Sequence, residues 1–313
     1  MSKAKLAIAL ITLSVATVAW AVPQAGIALR RLQPDSGSGS AGYVAPIRLR
    51  DERGRGLLAT AWINGAGPFT FAVDTGAGVS LITRNVVERA RLQVAKSRRP
   101  LVGGLSTSPI ASNQEARLSG LALGTPSNRI STKATAAVVA NLPGSIDGIL
   151  DPTDVFAPLG YSVDLPRRQL QVFDPASRGL RLNQVPRDGA VVRWVREPGN
   201  DRPFVQLGDG RLALIDTGSG FGLALTDGRV ISRSHRSEVE SRHDLGGGRV
   251  QAQEIAPQRV SIGALVLNGV PSDVLSGVAR GTPNILGRRA LFPFKISFDP
   301  VARLISFEPT ERD

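Results

Sequence analysis

Two short stretches of this chain hold residues that could do chemistry. In Phe71-Ala-Val-Asp74-Thr75-Gly76-Ala77-Gly78 an apolar run ends on a carboxylate and turns at once. In Ala213-Leu-Ile-Asp216-Thr217-Gly218-Ser219-Gly220 the same order returns. A carboxylate at the end of a buried strand sits at the rim of a core, where lost hydration and neighbouring charge move its pKa and suit it to acid–base work. The threonine can hydrogen-bond locally, and the glycines reach the positive φ angles that a tight loop needs. One Asp-Thr-Gly is an ordinary turn. Two in the same setting single out Asp74 and Asp216 as a candidate pair.

Other chemistries find little support. There is no cysteine, which excludes disulfides, thiol catalysis and cysteine-ligated zinc and leaves the redox compartment open. The two histidines, His235 and His243, lie in a polar stretch and read as solvated loop residues. Their spacing does not fit a metal-binding helix, and no G-x-S-x-G elbow accompanies them as a serine triad would require. No metal site or cofactor is expected. The formal charge of +12 comes mostly from arginine. It is compatible with electrostatic association with an anionic cell envelope, but no aromatic-interleaved basic stripe marks a nucleic-acid partner.

The elements that must position the two aspartates can be read in order. Lys3 and Lys5 precede the apolar run Leu6 to Trp20, and Ala19-Trp20-Ala21 fits a small-x-small cleavage site. Residues 1–21 are therefore expected to be a signal peptide, giving a periplasmic or secreted bacterial protein. An uncleaved inner-membrane anchor is the alternative, disfavoured by the short run and by Pro23. Residues 22–42 read as a flexible linker; its Gly37-Ser-Gly-Ser-Ala-Gly42 matches G-x-G-x-x-G but has no flanking strand and helix. From Tyr43, short apolar runs alternate with turns, which predicts β structure. Val44–Arg50, Leu57–Ile63 and Phe69–Val73 are expected strands, the last two joined by an Asn64-Gly65 turn. Ser80–Leu92 has helical apolar spacing, and Leu118–Leu123 and Ala134–Val139 are further expected strands. The same grammar then recurs, with Pro203–Leu207, Arg211–Ile215, Val260–Val266 and Val270–Leu275 as strands.

The landmarks recur at nearly constant offsets. Asp74 to Asp216 is 142 positions, Ile149-Leu150 to Ile285-Leu286 is 136, and Ser162-Val-Asp164 to Ser297-Phe-Asp299 is 135. Matched order with so little drift predicts a duplicated unit.

On these residues, roughly Tyr43 to Pro309, the chain resembles the aspartic peptidases of the pepsin and retropepsin type. The resemblance implies an all-β, bilobal pepsin-like fold of two duplicated retropepsin-like β-barrel lobes, residues 43–182 and 183–313. It implies Asp74 and Asp216 as the catalytic pair, sharing one proton because two adjacent carboxylates do not both ionise easily. Thr75, Gly76, Thr217, Gly218 and Ser219 would support the loops, Ile149-Leu150 and Ile285-Leu286 would pack beneath them, and Gly103-Gly104 and Gly246-Gly247 would be flap tips. As isolated sequence these glycine pairs are only hairpin turns. The implied activity is endopeptidase cleavage of a polypeptide substrate by a monomer. A catalytically weak or inactive relative that binds peptides or envelope components is the alternative. Three departures stand out: Asp151 replaces the glycine expected after the first apolar pair, Ala77 stands where the second loop has Ser219, and no flap tyrosine is evident.

Overall fold

The first hairpin shows how sequence becomes structure here. Along Gly56–Ile63 the side chains of Leu57, Leu58, Ala59, Ala61 and Ile63 are buried, and along Ala66–Val73 so are Phe69, Phe71, Ala72 and Val73. Burial on both faces fits strands inside a sheet rather than at its edge. Asn64 and Gly65 take φ of 49° and 78°, the two left-handed positions of the tight turn that matches strand twist. The strands consequently pair antiparallel, with Leu58 opposite Ala72 and Ile63 opposite Ala66. That pairing delivers Asp74 at a strand end.

The computed structural model describes residues 44–52, 54–97, 101–102, 104–107, 110–197, 200–226, 239–243 and 248–310. The expected leader and linker, residues 1–42, lie outside the described residues. The described residues form an all-β structure with four short helices and one 3₁₀ turn, and Gly42–Asp313 forms one compact unit.

Two sheets carry the Asp-Thr-Gly strands, and one sequence of pairings occurs in both. In the first, Ala66–Val73 pairs in parallel with Gly148–Leu150, which pairs antiparallel with Ser80–Thr83, which pairs in parallel with Thr135–Val139. In the second, Leu212–Asp216 pairs in parallel with Asn284–Gly287, which pairs antiparallel with Leu223–Leu225, which pairs in parallel with Leu265–Ser276. The apolar dipeptides Ile149-Leu150 and Ile285-Leu286 are the central strands of these arrangements. Each lies fully paired beside the strand that ends at an aspartate, which explains their burial on both faces.

A six-stranded antiparallel sheet joins the two halves of the chain. Its order is Ile47–Arg48, Gln169–Phe173, Gly160–Asp164, Phe294–Asp299, Leu304–Pro309 and Ala190–Arg193. At its centre Ser162 pairs with Ser297 and Tyr161 with Phe298. The Tyr161 and Phe298 rings stack at 4.7 Å between centroids, flanked by Phe156 and Trp194. The buried Asp299 carboxylate accepts the N–H groups of Val301, Ala302 and Leu180 at 2.8–2.9 Å, pinning the turn that follows.

Several expected elements differ from this structure. The helix expected over Ser80–Leu92 is a strand, Ser80–Thr83, followed by a helix of only six residues, Arg84–Arg89. Ser80 to Thr83 are all buried between two strands, so sheet pairing overrides the helical spacing. Of the strand expected over Leu118–Leu123 only Ala122–Leu123 forms; Gly120 turns the chain at φ +62°, and the preceding strand, Gln114–Arg117, ends before Leu118. Val260–Val266 is not one strand either. Gly263 at φ +58° turns the chain there, joining the long strands Arg249–Ile262 and Leu265–Ser276.

The stacked aromatic pair makes a prediction. Phe298→Ala should lower unfolding stability by about 3–5 kcal/mol in urea titration. Val301→Ala, three residues on but 66% exposed, should stay within about 0.5 kcal/mol.

Candidate active site

Each aspartate is placed by the strand that ends at it. The Asp74 N–H donates to the Leu150 carbonyl at 3.0 Å, continuing the parallel ladder, and Asp216 lies in register with Gly287. The chain then turns back under each carboxylate. Gly76 N–H donates to Asp74 Oδ1 at 2.8 Å, and Ser219 N–H donates to Asp216 Oδ1 at 2.9 Å. These local bonds fix both carboxyl groups before any partner arrives.

The two loops lie against each other, held by a reciprocal pair of buried threonines. Thr75 Oγ1 donates to the Ile215 carbonyl at 2.7 Å and accepts the Thr217 N–H at 3.0 Å. Thr217 Oγ1 accepts the Thr75 N–H at 3.3 Å and donates to the Val73 carbonyl at 3.5 Å. Each hydroxyl thus satisfies one donor and one acceptor on the opposite loop, groups that would otherwise be buried without partners. Glycine is required by the resulting closeness. A Cβ on Gly218 would lie 2.5 Å from both Asp74 carboxylate oxygens, and one on Gly76 would lie 2.6 Å from Asp216 Cγ.

Each carboxyl group thus lies against the opposite loop, close enough that the Asp216 charge acts on Asp74. Burial pushes Asp74 well above the usual carboxylate range, and the Asp216 charge adds to the shift. Burial also raises Asp216, against the Asp74 carboxyl, the Ser219 and Gly218 amides and the Arg288 charge, which all pull downward. Such a pair holds one proton between two oxygens, able to give it from one side and accept from the other.

Two further groups stand by the pair. Asp151, 5% exposed, caps the short helix Pro152–Val155 by accepting the Thr153 N–H at 2.9 Å, while its own N–H donates to Ser80 Oγ at 3.0 Å. The Thr153 hydroxyl lies 2.8 Å from the buried Tyr161 hydroxyl. Burial pushes Asp151 up to about 7. On the other side, Arg288 donates Nη1–H to the carbonyls of Thr217 and Gly218 at 2.9 and 3.0 Å.

Sequence reasoning marked Asp151 only as a departure and overlooked Arg288. The signal for the latter was a cation directly after Gly287, the residue equivalent to Asp151, where the first half of the chain has Pro152. The Ser219 hydroxyl also behaves otherwise than its type invites. It accepts the Phe221 N–H at 3.2 Å, and Asp216 receives the Ser219 amide instead. Of the expected flap residues, Gly104 lies in the connection between the paired strands Leu101–Val102 and Ile110–Ala111. Gly103, Gly246 and Gly247 lie outside the described residues, as does His235. Among the described residues, no group of three or more acidic or histidine side chains is arranged to hold a metal ion.

Residues 59–151 match the family model described as aspartyl protease. That interval runs from the first hairpin through Asp74 to Asp151. The match supports an aspartyl protease family and points to peptide hydrolysis as the general class of reaction. No curated protein matches the chain.

The threonine brace is unequal, and stability should report it. Thr75→Ala strips partners from the Ile215 carbonyl and the Thr217 N–H and should cost about 2–4 kcal/mol. Thr217→Ala removes the two longer bonds and should cost about 1–2 kcal/mol. Urea unfolding of both variants checks the order, and a larger loss at Thr217 would contradict it.

Proposed function

We propose that this chain is a secreted aspartic endopeptidase whose two duplicated, retropepsin-like lobes, residues 43–182 and 183–313, meet in one bilobal molecule around Asp74 and Asp216. The observation that carries this reading is that each carboxyl group lies against the opposite Asp-Thr-Gly loop, the two loops being cross-braced by their threonines. The recurring strand pairings and the match over residues 59–151 support it.

Chemically, the pair works through one retained proton. The ionised carboxylate takes a proton from a water molecule as the water oxygen bonds to the scissile carbonyl carbon. The protonated partner gives its proton to the carbonyl oxygen, forming a neutral tetrahedral diol. When the C–N bond breaks, the nitrogen takes a proton from the first carboxyl, and the second recovers its own from a diol hydroxyl. Both carboxyl groups end as they began, and neither cofactor nor covalent intermediate enters the scheme. A monomer suffices in this reading because one chain supplies both aspartates. The leader at residues 1–21 would place it in the periplasm or outside the cell, with its basic surface available to anionic envelope polymers.

Incubating the purified protein with a mixed peptide library between about pH 4 and 7, beside Asp74→Asn and Asp216→Asn, tests the reading. Cleavage should fall by about 100-fold or more in each variant. Cleavage that survives in either one contradicts the shared pair. A folded parent that binds peptides without cleaving them favours a peptide-binding protein instead.

A further inference from the structure

The two halves of the candidate site are not electrically equivalent, although their backbones pair alike. After the first apolar dipeptide stands Asp151. After the second comes Gly287, in register with Asp216, and then Arg288. Space enforces the difference. A Cβ at Gly287 would lie 2.6 Å from the Phe221 carbonyl oxygen and 2.9 Å from Ser219 Oγ, so the second side cannot hold an aspartate there without rebuilding its loop. On the first side the same place is open, and Ser80 and Thr153 hold Asp151 by its own N–H and by its carboxylate. The residue before it, Leu150, grips the Asp74 amide.

Arg288 is equally committed on its side. Its Nη1 bridges the two carbonyls that follow Asp216, and it packs close enough that a Cβ at Gly56 would lie 3.2 Å from Nη1. A carboxyl group therefore sits behind Asp74 and a guanidinium beneath the Asp216 loop.

We propose that Asp151 and Arg288 are positioning residues that polarise the carboxyl pair, keeping the shared proton on Asp74 and the negative charge on Asp216. This rests on the peptidase reading and assigns its roles: Asp216 is the base that takes the water proton, and Asp74 is the acid that protonates the carbonyl oxygen. The two residues act in the same direction. Above about pH 7, where Asp151 is ionised, its charge opposes loss of the Asp74 proton. Arg288 is charged throughout and favours the ionised form of Asp216 at every working pH. The remaining ionisable neighbours do not reverse this order. Asp154 acts on Asp151 and raises it, and the Tyr161 hydroxyl is engaged by the Thr153 hydroxyl at 2.8 Å. Arg202 runs along the rim, its methylenes beside Gly78 and its guanidinium 5.5 Å from the Phe204 ring centroid.

The test is a pH titration of the purified protein with carbon-13 at the aspartate carboxyl carbons. Asp74→Asn and Asp216→Asn assign the two signals. In the parent, the Asp74 signal should remain protonated at pH values where Asp216 is ionised. Asp151→Asn keeps the helix cap but removes the charge, and should bring the Asp74 titration down by about half a unit or more. Arg288→Gln should move the Asp216 titration up by a similar amount, and Arg288→Lys should leave it near the parent position. Should Arg288→Gln fail to fold, Asp151→Asn and Arg288→Lys still carry the test. The alkaline limb of kcat/KM for peptide cleavage should fall with Asp151→Asn, a change that a purely structural capping role would not produce. An Asp74 titration unmoved in Asp151→Asn, or a parent with its proton on Asp216, overturns the proposal. A parent that shows the expected titrations but cleaves no peptide overturns the peptidase reading and leaves the polarisation standing.

Discussion

The reciprocal bonding of Thr75 and Thr217 is the constraint on which the rest of this site depends. Two carboxylates brought together in a protein interior repel each other and lose water, and both effects push the loops that carry them apart. Here the opposing force is supplied by the backbone. Each threonine hydroxyl donates to a carbonyl and accepts an N–H on the facing loop, and all four of those main-chain groups would be buried and unpaired if the loops separated. The glycines at 76 and 218 then become obligatory, since any side chain there would occupy the space of the opposite carboxylate. The central sheet gives the brace its rigidity. Its paired strands Gly160–Asp164 and Phe294–Asp299 come from the two halves of the chain and meet at the stacked rings of Tyr161 and Phe298.

Two similar backbones need not create two similar acids. The pair sits between a buried carboxyl held by Ser80 and Thr153 and a guanidinium held by the carbonyls of Thr217 and Gly218. A chain that carries both halves of a site can vary each half separately, which two identical subunits cannot do. Asp151 in place of glycine and Arg288 after Gly287 are differences of that kind, and both bear on which oxygen keeps the proton.

Much of this arrangement was legible in the sequence, because it depends on local patterns. Asn64-Gly65 announces its turn, and each apolar run into Asp-Thr-Gly announces a strand ending in a carboxylate. The steady offsets between landmarks point to a repeated unit. What the sequence obscured depends on contacts between distant residues. Ser80-Leu-Ile-Thr83 continues a helical spacing and becomes a strand only because Thr135–Val139 and Gly148–Leu150 flank it. Gly263 divides an apolar run that reads as one strand, since a lone glycine in such a pattern does not reveal its φ. The bearing of Asp151 and Arg288 on the pair emerges only once the chain has folded them against the aspartates.

The physical signature of this site is a proton that the folded protein keeps on the pair and the unfolded chain gives up. Its most direct test is the unfolding free energy of the parent and of Asp74→Asn, followed by urea titration from about pH 4 to 7. A carboxyl raised above its ordinary value of 3.8 binds its proton more tightly when folded, so its contribution to stability is greatest at low pH. That contribution declines as pH rises toward the folded value, by up to about 1.4 kcal/mol per pH unit. The asparagine variant has no such proton to lose. It should therefore gain steadily on the parent as pH rises, whereas a constant difference between the two across this range would contradict the account.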